Sequence, residues 1–406
     1  MVFTFPWHNS CRLGGMDMSR ACDPRRLAAF MIAYYATNCM YQSFLSLYYT
    51  AVAFSSAQIG IINACVALVS IAAQPVWGIA ADRARDRAGL VALLAVLAAA
   101  SMFAFRWSAR FVPLMLLACV FAGFYTSIQP MGDAIILKAL NDAGKPFGPI
   151  RMAGGLSFAV CGVLFGMLLN APGRDRQIPL YIAGLCLIVA ASTTALPRTS
   201  GGQSGGGRSM RFSALLEQRE LVRLLCFMAP VQLTMGYFYT FFSPHFMTLS
   251  GANSALLGVG YFIAAVSEVP FLLNADRWFD RFGAGTLLCA SAASLALRWV
   301  LVGLAGNVWC ALATQMLHGG GFIVMTVCMA KYISRTVPEE LQASGQMLLS
   351  IVTFGIARVA GNLGGGLLAG WLGRGRVFFI CSAICLLTLL VGGRSVSRLG
   401  RGDRMG

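Results

Sequence analysis

Twelve long apolar runs alternate with short, mostly basic connections, and this alternation fixes the solvent in which the chain can fold. The runs cover residues 27–50, 57–81, 89–107, 111–139, 148–170 and 178–196. They continue over 220–249, 254–275, 284–304, 306–333, 342–370 and 376–395. A helix needs about 20 mostly apolar residues to cross a bilayer, and each run supplies close to that number. Of the 406 residues, 58% are hydrophobic and 11% charged, against roughly 25% charged in a soluble domain. No single globular core can hide that much apolar surface, so lipid must cover the remainder.

The formal charge of +16 would suggest nucleic acid in a soluble protein. Here the basic residues sit in alternate connections: Arg25 and Arg26; Arg83, Arg85 and Arg87; Lys138 and Lys145. The series continues with Arg208, Arg211, Arg219 and Arg223, then Arg277 and Arg281, Lys331 and Arg335, and a tail from Arg394. The opposite connections are sparse, with Arg106, Arg110, Arg174, Arg176, Arg374 and Arg376. This is the positive-inside pattern, and it argues against a nucleic-acid partner. It predicts a multi-pass protein of a bacterial cytoplasmic membrane with both termini in the cytoplasm. Residues 1–26 do not read as a cleavable signal, because the first apolar run is too long. The 13 cysteines form no Cys-x-x-Cys and mostly lie within apolar runs, so neither a disulfide framework nor a metal site is expected.

The middle of the chain reads Pro197-Arg-Thr-Ser-Gly-Gly-Gln-Ser-Gly-Gly-Gly-Arg-Ser-Met-Arg211, the composition of a flexible linker. On either side of it the sequence echoes itself. Ala81-Asp82-Arg83-Ala84-Arg85-Asp86-Arg87-Ala88-Gly89 and Ala275-Asp276-Arg277-Trp278-Phe279-Asp280-Arg281-Phe282-Gly283 both fit A-D-R-x-x-D-R-x-G. Each follows the second run of its half. The predicted fold is therefore an all-α membrane protein of twelve transmembrane helices in two pseudo-symmetric six-helix bundles. Its expected parts are a cytoplasmic segment 1–26, a bundle 27–196, a linker 197–219, a bundle 220–395 and a basic tail 396–406.

The turn Gly78-Ile-Ala-Ala-Asp82-Arg83 resembles the signature loop of the major facilitator superfamily. That resemblance implies a cytoplasmic gate in which Gly78 lets helices approach, and Asp82, Arg83, Asp276 and Arg277 form a charge relay. A narrower resemblance, to lactose permease and the phenylpropionate permease branch, rests on three features. Phe147-Gly-Pro-Ile-Arg151-Met-Ala-Gly154 opens the fifth run, Arg151 follows Asp133 by eighteen residues, and His318 follows Arg298 by twenty. It implies that Asp133 and Arg151 hold substrate and that Phe158 stacks on it. It also implies that Glu268, Arg298 and His318 belong to a proton-coupling cluster, and that Arg358 stands where those relatives carry a lysine. Two positions depart from the pattern: Gly321 replaces a proton-carrying glutamate, and Met235–Pro244 contains no acid.

The residues support much of this without the resemblance. A charge at the centre of a membrane helix costs about 2.5–3.5 kcal/mol, so it usually faces water or a partner. Asp133, Glu268, Arg298, His318 and Arg358 all lie inside apolar runs, with Arg151 near a run's end. Asp133 is either a substrate or proton carboxylate paired with Arg151 or half of a structural ion pair. Glu268 is either the proton carrier or a static partner of Arg298 or His318, and His318 either titrates or makes only a helix-to-helix hydrogen bond. Three arginines face two carboxylates, and an anionic substrate would balance the surplus; alternatively Arg358 rests on backbone carbonyls or snorkels toward water. The first run carries Tyr34, Tyr35, Asn38, Tyr41 and Gln42. Of these, positions 34, 38 and 41/42 share a helical face and read as a cavity stripe or as interhelical packing. Gly154, Gly155, Gly162, Gly361, Gly364, Gly365, Gly366 and Gly370 read as packing positions.

There is no Walker lysine loop, H-E-x-x-H or Gly-x-Ser-x-Gly elbow. The expected function is therefore secondary active transport, a proton-coupled symport of a small polar or anionic solute by a monomer without a cofactor. The partners are a small molecule, protons and the bilayer. Proton-coupled efflux is the alternative; such antiporters show a Gly-Pro motif in the fifth span, whereas Gly154–Gly162 here contains no proline. A non-transporting sensor is the alternative of another class.

Overall fold

The computed structural model describes residues 23–197, 199 and 212–399, almost entirely as helix. The segment 1–22, most of the linker and the end of the basic tail lie outside the described residues. Twelve spans are formed within them. The first, α1 (residues 24–51), is helical at Pro24–Cys39 and Leu45–Ala51 with a π turn at Met40–Phe44 between. It is followed by α2 (Ser56–Arg83), α3 (Arg87–Trp107), α4 (Phe111–Asp142), α5 (Gly148–Leu169) and α6 (Arg174–Ala195). The second half holds α7 (Arg219–Phe246), then a continuous stretch Ser254–Leu304, then α10 (Val308–Thr336), α11 (Glu340–Leu372) and α12 (Arg374–Val396).

Ser254–Leu304 is two spans, α8 (residues 254–282) and α9 (residues 284–304). They are divided at Gly283, whose φ of 75° breaks the helical path. This is the terminal glycine of the second echo, at a φ that a side chain disfavours. In the first echo the division is made differently: Asp86 accepts from the Gly89 amide at 3.1 Å and caps α3. The same motif turns the chain twice by different means. Elsewhere Ser55 and Gln58 form a reciprocal capping box at the start of α2. Pro130 cannot donate to the carbonyl four residues back, and α4 is interrupted at Thr126–Ser127.

Within the first half α1 packs on α5 and α6, α3 on α6, and α2 on α4; within the second, α7 packs on α11 and α12, and α9 on α12. The halves meet along two seams, α2 with α11 and α5 with α8. Glycines create both. A Cβ on Gly60 would stand 2.9 Å from the Gly366 Cα, and one on Gly166 would stand 3.1 Å from the Gly258 Cα. Gly361 and Gly365 admit α7, and Gly154 admits the Tyr35 ring, whereas Gly155, Gly364 and Gly370 face open space. Packing therefore explains most of these glycines, but not all eight.

The tight seams lie toward the end of the bundle away from the basic connections. There Ser243 Oγ donates to the Ser43 carbonyl across the halves at 2.6 Å, and Arg374 Nε bonds Ser56 Oγ at 3.2 Å. Ser243 also accepts from the Tyr261 hydroxyl at 2.6 Å, since its own proton is committed to Ser43. Toward the basic end Gly78 is exposed and has no atom within 4 Å of where a Cβ would stand. The helix approach expected at Gly78 is therefore not made in this conformation, which the glycine seams close at the opposite end.

Replacing Gly60 with Val should pry α2 from α11 at the closed end. Spin labels at positions 53 and 373 are expected to move apart, and an unchanged distance distribution would show that the seam does not depend on this contact.

Candidate functional site

The interior charges gather into two groups, one in each half. In the second half Arg298 is fully buried in α9, at 0% exposure. Its guanidinium gives one nitrogen to Gln315 Oε1 and another to His318 Nδ1, both at 2.7 Å. It also lies over the Phe238 ring, 4.3 Å from the centroid, and beside Trp299 at 5.0 Å. The Trp299 indole is anchored to Thr234 Oγ1 at 2.9 Å. His318 Nε2 faces Glu268 Oε1 at 3.4 Å. The histidine ring is stacked on Phe322, with centroids 5.6 Å apart.

The donor inventory fixes the proton positions in this cluster. A guanidinium has five donors and no acceptor. Nδ1 of His318 must therefore offer its lone pair to Arg298, and Nε2 must carry the hydrogen that points at Glu268. His318 is thus a neutral imidazole here, and charging it requires Arg298 to leave Nδ1. Glu268 is half-buried in α8, fourteen residues from Ser254. Its neighbour Ser267 accepts the Gly319 amide of α10 at 3.0 Å, at the start of the π turn Gly319–Ile323. That bond ties the α8 carboxylate to the α10 histidine.

Arg358 of α11 stands apart from these partners. It lies 4.8 Å from the Tyr239 centroid and 5.7 Å from that of Phe354. Among the described residues it has no carboxylate within ion-pair distance. It follows another π turn, Ile351–Ile356, and is within electrostatic reach of Tyr41 in the opposite half. The alternative that Arg358 rests on backbone carbonyls does not describe this geometry, in which aromatic faces flank the cation.

In the first half the expected direct pair of Asp133 with Arg151 is not formed. Arg151 instead lies over the Tyr35 ring at 4.5 Å, and the Tyr35 hydroxyl accepts from Gln129 Nε2 at 2.7 Å. Cation–π contact and a fixed ring hold the guanidinium away from the carboxylate, although it remains within Coulombic reach. Asp133 Oδ1 is buried with no hydrogen-bond partner among the described residues. Phe158 is half-buried on α5, packed against the core.

The α1 stripe is only partly a cavity face. Tyr34 is 3% exposed and stacks on Tyr125 at 5.4 Å, so it belongs to the packing of the first bundle. Asn38 and Gln42 are half-buried and bonded to each other at 3.1 Å. Tyr35, off the expected face, is the tyrosine that meets the Arg151 guanidinium.

The gate charges pair differently from the expected relay. Asp82 pairs with Arg87 at 2.8 Å, and Asp276 contacts Lys331 directly and Arg335 at 3.8 Å. Asp280 also holds Arg335. Arg83 and Arg277 are exposed and make no ion pair among the described residues. The acids of the relay are where the motif put them, but their cations come from the next turn or from α10.

Gln315, Phe238 and Tyr239 carry no mark in the sequence reading. Gln315 alone had a usable signal, lying three residues before His318 and so on the same helical face.

Two six-helix bundles meeting at glycine seams around interior charges define a secondary transporter of small solutes rather than an enzyme. The chain belongs to the MFS_1 like family, within the major facilitator superfamily; the family model matches residues 25–380. It is similar to the maltose permease of Geobacillus stearothermophilus, 30% identical over 83% of this chain and 86% of that one. It is also similar to the probable 3-phenylpropionic acid transporter of Escherichia coli K12, 24% identical over 75% and 81%. Among solved structures it resembles the nucleoside transporter NupG, with a TM-score of 0.80 at 16% identity, covering 94% of this chain and 100% of that one.

Replacing Gln315 with Leu leaves one Arg298 nitrogen buried without an acceptor, at a cost of about 1–3 kcal/mol. A lowered unfolding midpoint in detergent is expected, with Gln315→Glu retaining most of the stability. An unaltered midpoint in Q315L would show that Arg298 finds another acceptor.

Proposed function

We propose that this chain is a proton-coupled importer of a small organic anion, working by alternating access in a bacterial cytoplasmic membrane. The basic connections and both termini face the cytoplasm, following the positive-inside distribution. In that orientation the glycine seams and the Ser43–Ser243 bond close the outer side, and the conformation is the inward-facing state.

The observation that carries the reading is Arg358, a cation among helices with aromatic faces beside it and no carboxylate to neutralise it among the described residues. Arg298 is committed to His318 and Gln315, so it cannot easily serve a ligand. Arg151 and Arg358 therefore remain as the interior cations able to meet a substrate. Both face α1: Arg151 lies over the Tyr35 ring, and Arg358 acts electrostatically on Tyr41. A compact anion with an apolar or aromatic body would meet both, beside Asn38 and Gln42. An arginine grips a carboxylate with two parallel hydrogen bonds.

Glu268 is the proton site this reading selects. Its partner His318 is neutral in this conformation, so the carboxylate has no full counter-charge in hydrogen-bond contact. Protonating Glu268 would weaken the bond it accepts from the His318 Nε2–H and loosen the tie between α8 and α10. Coupling follows only if the two access states differ in proton affinity.

The relatives' names favour both this reading and a second one. The E. coli relative is described as a probable 3-phenylpropionic acid transporter and the Geobacillus relative as a maltose permease. A neutral sugar would leave the charge of Arg358 unbalanced, which is why the anion is preferred.

The test is uptake into vesicles with an imposed pH gradient, comparing aromatic carboxylates with maltose. Arg358→Gln is expected to reduce carboxylate uptake by at least about ten-fold, with Arg358→Lys intermediate, as loss of a charge-assisted bond predicts. Glu268→Gln is expected to allow substrate exchange between equal pools while abolishing accumulation driven by the gradient. Maltose uptake that is unaffected by R358Q, with no carboxylate carried, would overturn the anion reading.

A further inference from the structure

The opposite connections should be poor in arginine, yet four of their six arginines gather at the ends of α3 and α6. Arg106, Arg110, Arg174 and Arg176 stand there against the single acid Asp175. The transport cycle proposed above uses none of them. Beside them lies a groove of about 460 Å³ between the ends of α1, α3 and α6. It is lined by Tyr48, Val52, Phe105, Arg106, Arg176 and Leu180, among others.

The groove has an apolar floor and a cationic rim. Tyr48 and Phe105 are buried, at 5% and 3% exposure, with ring centroids 5.8 Å apart. The Tyr48 hydroxyl makes no hydrogen bond among the described residues. Arg106 rests over Phe103 at 5.4 Å and has no acidic partner among them. Among the described residues the Arg176 side chain reaches only the Ala51 carbonyl, at 3.4 Å, while its backbone amide is bound by Asp175 Oδ1 at 2.9 Å. Arg174, by contrast, is occupied with the Leu168 carbonyl at 3.0 Å and takes no part in the rim. Outside the groove Phe103 and Trp107 are 43% and 79% exposed, at the level where aromatic side chains meet the headgroup region.

We propose that this groove binds the phosphate headgroup of an anionic phospholipid in the leaflet opposite the basic connections. Arg106 and Arg176 take the phosphate oxygens, the Tyr48 hydroxyl donates to the glycerol or phosphate, and the acyl chains run down the apolar faces of α3 and α6. Arginine matches phosphate in shape as well as charge. The position of the groove at the rim of the span favours a lipid over a soluble anion, because its apolar floor continues into the lipid-facing surface. Two arginines held on the sparsely charged side run against the positive-inside rule, and a bound lipid phosphate compensates them locally.

The test uses the full-length protein purified in detergent and titrated with phosphatidylglycerol or phosphatidylcholine of the same acyl chains, with bound lipid counted by native mass spectrometry. Wild type is expected to retain phosphatidylglycerol over phosphatidylcholine by about thirty-fold, the effect of two basic residues at a membrane surface. The double variant Arg106→Gln/Arg176→Gln is expected to lose that preference while keeping its lipid-free unfolding midpoint, and Arg106→Lys/Arg176→Lys to keep part of it. A third arm adds soluble glycerol 3-phosphate in place of lipid. Equal retention of the two lipids by wild type, or an unchanged preference in the glutamine variant, would overturn the proposal. Competition by glycerol 3-phosphate at lipid-like concentrations would also overturn it, by assigning the groove to a free anion.

Discussion

A buried guanidinium that cannot lose its proton governs the second bundle. Arg298 has no exposed surface, and leaving its charge without partners would cost several kcal/mol in so dry a setting. The surrounding side chains answer that demand: Gln315 and His318 accept, and Phe238 and Trp299 offer their ring faces. Meeting it fixes the tautomer of His318, and the tautomer in turn decides which hydrogen faces Glu268. A single requirement of electrostatics thereby reaches across α7, α8, α9 and α10.

The fold was legible because it rests on coarse features. Twelve apolar runs, the charge asymmetry of their connections and the A-D-R-x-x-D-R-x-G echo each survive errors of several residues in boundaries. The site was less legible because it depends on which way single side chains turn. Asp133 and Arg151 have the right spacing for a pair, but Tyr35 offers the arginine an aromatic face and Gln129 holds that ring in place. Tyr34 and Tyr35 are adjacent and chemically alike, and helical phase alone does not decide which of them meets the cavity. In the gate, the acids of the echo are in position while Lys331 and Arg335 come from a span fifty-five residues away. No local pattern could have named them.

The two halves are alike in path and unlike in chemistry. The first presents an exposed arginine and an under-bonded carboxylate; the second holds a closed chain of arginine, histidine and glutamate. Under the proposed reading the solute meets both halves, through Arg151 and Arg358, while the proton site lies in the second alone. The glycine seams suit alternating access, because backbones in contact through glycine can slide without side chains to disengage.

The three π turns carry a consequence for how this chain can be read beside its relatives. Met40–Phe44, Gly319–Ile323 and Ile351–Ile356 each place one extra residue in a turn. Each residue advances a helix by about 100°, so every position beyond such a turn is rotated relative to an uninterrupted helix. Two transporters aligned without gaps could therefore differ by one residue here and present different faces to the cavity from the same column. At Arg358, just past the third turn, equivalence has to be judged in three dimensions.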